Sequence, residues 1–144
     1  MVNDTKRAVN NKIEVTENIS LSKTQLIKLN ISQNDIKHEE EPVSVKLRIT
    51  SNLEIEAITE NDLVVKNFVK LFFEPHGPIN FEMELLGFFD LEKQLEEQEI
   101  EKQLEKIAYP LLSHSSLLVA QITEKTLGIP IIIPPRVTNP PQTK

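Results

Sequence analysis

The sequence predicts an α+β fold, a four-stranded antiparallel sheet followed by a long, proline-kinked helix packed on one of its faces. Three observations carry that expectation. From Ile13 to Phe89 apolar and polar residues alternate with the period of two that marks strands with one buried face. Charged and proline-containing turns divide this stretch into four runs. From Ile100 onward the apolar spacing becomes that of a helix. At 144 residues, 39% hydrophobic and 26% charged, the chain has the size and mix of a single globular domain.

The first run places Ile13, Val15, Ile19, Leu21, Ile27, Leu29 and Ile31 at odd positions, all expected on the buried face. Lys23-Thr24-Gln25 interrupts it, as one bent strand or two short ones, and His38-Glu39-Glu40-Glu41-Pro42 ends it as a charged turn. In the second run Val43, Val45, Leu47, Ile49, Leu53, Ile55 and Ala57 alternate with polar neighbours. Glu60-Asn61-Asp62 turns into a third run, Leu63 to Phe73, with Val65, Asn67, Val69, Leu71 and Phe73 inward. Pro75-His76-Gly77-Pro78 turns into the fourth, where Ile79, Phe81, Met83, Leu85 and Phe89 point inward. Short turns between runs two, three and four predict an antiparallel meander.

Asp90 to Gln98 reads as a separate turn or loop. Beyond it, Ile100, Leu104, Ile107, Ala108, Leu111, Leu118 and Ile122 share a stripe about 100° wide, with Ser115 among them. The stripe keeps its phase across Pro110, which predicts one long helix kinked there. Lys125, Gly128 and Pro130 mark its end. Ile131 to Pro135 then reads as a short extended piece. Residues 1–12 are expected to form a flexible arm, 13–137 the folded domain, and 138–144 a disordered tail.

Composition narrows the function. With 16 Lys+Arg against 22 Asp+Glu the net charge is −6, which argues against a grip on nucleic-acid phosphates. The absence of cysteine removes disulfides and thiolate chemistry, and the three glycines form no phosphate loop. No stretch resembles a secretory signal or a membrane span, so a cytoplasmic protein without membrane insertion is expected. His38, His76 and His114 lie apart, none at a metal-ligand spacing, so no metal, cofactor or catalytic centre is expected.

Apolar residues on the wrong face say more. In run three Val64, Phe68 and Phe72 oppose the buried side, and in run four Leu86 and Phe88 do the same. Leu117 lies off the helical stripe. Such surface marks an interface, so Phe68, Phe72, Leu86, Phe88 and Leu117 are expected to touch a client or a sister subunit. The chain is therefore expected to be a homo-oligomer. Glu54, Glu56, Glu82 and Glu84 on the same wet face form a candidate acidic surface for a basic partner.

These elements, with Gly87-Phe88-Phe89 in the fourth run, Ala108-Tyr109-Pro110 in the helix and Gly128-Ile129-Pro130 after it, resemble the SecB export chaperone family over residues 13–137. Leu111-Leu112-Ser113-His114 stands where that family has an aromatic-proline-tyrosine stretch. The resemblance implies a cytoplasmic, ATP-independent holdase without a cofactor. It also implies a tetramer built as a dimer of dimers, holding unfolded or preprotein chains in apolar grooves, with the SecA motor as a candidate partner in protein export. The alternative is a dedicated interaction module for one partner, such as an antitoxin.

Overall fold

Four strands, β1 (Ile19–Gln33), β2 (Lys46–Ile58), β3 (Asp62–Glu74) and β4 (Ile79–Leu91), form one antiparallel sheet in the order β1-β4-β3-β2. Helical segments α1 (Glu97–Lys102), α2 (Leu104–Ile107) and α3 (Tyr109–Leu127) follow and cover one face. The computed structural model describes residues 18–33, 46–74 and 77–138. The readings for the arm, for Ile13, Val15, Val43, Val45, the charged turn with His38, Pro75-His76 and residues 139–144 lie outside them.

The expected meander of β2, β3 and β4 is present. Leu63, Val65, Asn67, Val69 and Leu71 of β3 pair with Phe89, Gly87, Leu85, Met83 and Phe81 of β4, and all ten are buried. A strand paired on both sides and covered by helices hides every second side chain, so strict alternation identified this core without ambiguity. Each large side chain so buried contributes about 1.5–3 kcal/mol.

The edge strands depart from the expectation, because β-bulges reset their alternation. In β1 the register slips between Leu21 and Lys23 and again between Leu26 and Lys28, leaving Ser22 and Ile27 as extra residues. Between the slips even positions face the helices, so Thr24 opposes Gly87 and Leu26 opposes Leu85. Ile27, expected in the core, is 44% exposed. The interruption at Lys23-Thr24-Gln25 is thus one bent strand. In β2 a slip after Ile55 makes Glu56 the extra residue, so Ile58 faces the core in place of Ala57, which is exposed.

One kinked helix is replaced by three segments. Gln103 (φ −119°, ψ 22°) and Ala108 (φ −88°, ψ 8°) leave helical geometry, and Pro110 is the second residue of α3. There its missing N–H costs nothing, since first-turn donors have no helical acceptor. The buried stripe nevertheless stays on one side: Ile100, Ile107, Ala108, Leu111 and Ser115 are buried as expected, Leu104, Leu118 and Ile122 pack half-buried against the core, and Leu112, Val119 and Thr123 are buried beside them. Gly128 ends α3 as expected, in the left-handed conformation at φ 87°, with its N–H on the Glu124 carbonyl at 2.9 Å.

Gly87 decides how closely α3 approaches. A Cβ there would lie 3.0 Å from Leu111 Cδ1 and 3.1 Å from Cδ2, so the first full turn of α3 sits directly on β4. Three residues on, His114 Nδ1 and Thr24 Oγ1 are 3.0 Å apart and tie α3 to β1.

Candidate interaction surface

The residues singled out from the sequence fall on opposite sides of the molecule. Phe68, Phe72, Leu86 and Phe88 lie on the open sheet face, each half-buried among neighbours. Leu117 is on α3, in the other layer, and is 54% exposed. No single groove contains all five.

On the open face the aromatic rings are engaged by lysines. Lys66 Nζ lies 4.7 Å from the Phe68 ring centre and Lys23 Nζ 4.8 Å from that of Phe88. The four acids of the candidate acidic surface are engaged as well. Lys66 reaches Glu54 at 4.0 Å, Glu56 at 3.7 Å and Glu84 at 3.7 Å. Lys28 reaches Glu82 at 3.4 Å and Glu84 at 3.9 Å, and Lys70 reaches Glu82 at 3.7 Å. The register produces this ladder, because Lys28 opposes Glu84, Asn30 opposes Glu82 and Lys70 opposes Glu82 across neighbouring strands. The four carboxylates and three ammonium groups of this ladder leave one negative charge, which Lys23 beside Phe88 on the same face offsets, so these groups project little field toward a basic partner.

A different surface carries free apolar area. On β1, Leu26 and Leu29 pair with Leu85 and Met83 and so face the helices. Leu85 and Met83 are each 1% exposed, but Leu26 and Leu29 remain 43% and 40% exposed. The helical layer, seated at Gly87, reaches β1 at Thr24 but leaves Leu26 and Leu29 uncovered. The result is a shelf of Leu26 and Leu29 bounded by α3, with Ile27 beside it, along the edge strand of the sheet. Such an edge offers main-chain donors and acceptors next to apolar side chains. Tyr109 and Leu117 add exposed apolar area on α3, whose residues from Tyr109 to Ile122 include no Asp, Glu, Lys or Arg.

Alternation alone could not find this shelf. Leu29 is on the expected face yet uncovered, and Leu26 reaches that face only because of the bulges. A visible signal was the Leu26-Ile27 pair itself, which breaks the alternation. Among the described residues no three His, Cys, Asp or Glu side chains are grouped to hold a metal ion, and no helix is long and apolar enough to cross a membrane.

No protein-family model matches the sequence, and no curated protein matches it significantly. Solved structures do match. A SecB-like chaperone of Mycobacterium tuberculosis, in complex with a peptide from the HigA1 antitoxin, is 13% identical with a TM-score of 0.63, covering 89% of this chain and 96% of the other. A protein of unknown function from Streptococcus agalactiae is also 13% identical, with a TM-score of 0.49 over 81% and 96%. The first likeness shows that this chain has the SecB-like α+β fold.

Proposed function

We propose that the protein is an ATP-independent holdase of the cytoplasm that binds non-native or preprotein chains through apolar surface. The observation that carries this reading is the shelf on β1, where Leu26 and Leu29 face the helical layer yet stay two-fifths exposed. An unfolded chain offers what such a site accepts, apolar side chains together with unpaired main-chain groups. Half-buried Phe68, Phe72, Leu86 and Phe88 form a second contact surface on the open sheet face, and Leu117 a third on α3. In this reading the uncharged outer side of α3 joins copies into a dimer of dimers, no enzymatic step or cofactor is involved, and SecA is a partner if clients are exported.

The antitoxin peptide in the mycobacterial structure favours a second reading, in which the same surface holds one dedicated partner. Aggregation suppression against a panel of unrelated unfolded proteins separates the two, with oligomeric state measured by light scattering on the same sample. Suppression of several clients at near-stoichiometric ratios supports the holdase. Protection of none sinks it, and protection of a single client supports the dedicated module.

A further inference from the structure

At the end of the open face where β3 begins and β4 ends, the register aligns two rows of side chains. Ser20, Asp90 and Asp62 stand side by side in the outermost row, and Lys23, Phe88, Val64 and Ala57 in the next row on the same face. Both edge strands bulge at this level, at Ser22 and at Glu56, and the second bulge turns Ala57 outward. A hollow of about 380 Å³ lies here, lined by Ala57, Val64 and Phe88 with Asp62 and Asp90 at its rim.

The two aspartates differ from the acids of the ladder. Glu54, Glu56, Glu82 and Glu84 each reach a lysine. Asp62 and Asp90 oppose each other directly, both are exposed, and among the described residues neither is in an ion pair. Like charges so placed repel each other. An apolar hollow rimmed by this carboxylate pair suits an extended segment with a cation and an apolar side chain two residues apart. Neighbouring rows on one face are about 7 Å apart, as are side chains i and i+2 of an extended chain.

The sequence before β1 carries that pattern. Residues 1–12 hold Lys6, Arg7 and Lys12 against Asp4 alone, and Arg7-Ala8-Val9 has a guanidinium and a branched aliphatic at the matching spacing. β1 begins at Ile19, next to the Ser20–Asp90 pair, so the preceding chain enters the sheet at this end. Residues 10–18 can span about 30 Å when extended, whereas Asp62 lies two strand spacings, about 10 Å, from β1.

We propose that residues 7–9 dock in this hollow in cis, with the Arg7 guanidinium shared by Asp62 and Asp90 and Val9 against Phe88 and Val64. A planar fork of donors serves two opposed carboxylates better than an ammonium does. Docking relieves the repulsion between the aspartates and covers the apolar end of the open face. Client holding at the β1 shelf does not enter into it, so either can fail without the other.

The sequence has no cysteine, so Ala8→Cys gives a unique site for a nitroxide label on the full chain. Residue-resolved NMR in low salt should show paramagnetic broadening of the Val64 and Phe88 amides and little at Phe72, toward the other end of β3. Arg7→Ala and Asp62→Asn should each reduce the docked population's equilibrium constant about two- to fivefold, and high salt should act in the same direction. Arg7 lies outside the sheet, so its variant guards against a folding defect in the aspartate variant. No broadening at Val64 and Phe88, or broadening unchanged when Asp62→Asn and Asp90→Asn are combined, overturns the proposal. Samples with isotope and nitroxide on different copies should show no broadening, and its appearance there overturns docking in cis.

Discussion

The two edges of the sheet are treated in opposite ways. At β2 residues 129–138 return as a strap, and Thr138 occupies the outward carbonyls of Ile49 and Ser51 at mid-strand. At β1 two bulges bend the strand, and although the helical layer reaches it at Thr24, Leu26, Ile27 and Leu29 stay exposed. An uncovered edge invites pairing with another chain, and covering or bulging it is how proteins limit that tendency. The difference makes β1 the edge open to a partner and β2 the edge closed to one.

Unseating α3 should break this contrast most severely. Gly87→Val places methyl groups where Leu111 now sits, and overpacking of this kind costs about 1–3 kcal/mol. Thermal unfolding should show the loss, and an unchanged midpoint would mean that α3 does not rest on β4 as described. Next in size, replacing Leu26 and Leu29 together by Ser should weaken client binding. A partner would cover the exposed two-fifths of each, about 1–2.5 kcal/mol together or roughly 5- to 70-fold in affinity. Phe72→Ser with Phe88→Ser on the open face should have the smaller effect, and the reverse ranking by anisotropy would move the principal site to that face.

The β2 edge can be probed more gently. Thr138→Val keeps the strap's N–H but removes the hydroxyl bond to Ile49, a loss of about 1 kcal/mol, seen as faster amide exchange along the strap and in β2. Unaltered exchange would leave the strap's hold on that edge unsupported. The smallest change is Glu82→Gln, which removes the carboxylate shared by Lys28 and Lys70. Both pairs are solvent-accessible, so stability should change by no more than about 0.5 kcal/mol and the difference should vanish in high salt. A larger, salt-resistant loss would show that the ladder holds the open face together.

The central strands, the meander, the stop at Gly128 and the inward faces of β3 and β4 were determined by the sequence itself. They depend on neighbours one to four residues away, and alternation or a left-handed glycine reports on those directly. Tertiary structure decided the remainder. A bulge exists only relative to a partner strand, so Ser22, Ile27 and Glu56 carry no local mark of being extra residues. Pro110 is equally compatible with a kink and with a first turn, and the non-helical dihedrals of Ala108 selected the second. The acids of the open face read as a patch because their spacing along each strand was visible, whereas Lys28, Lys66 and Lys70 reach them across strands whose order no local pattern encodes. The shelf on β1 arose in the same way, since how far a helical layer extends over a sheet is set by where Gly87 lets Leu111 down, a contact between residues 24 positions apart.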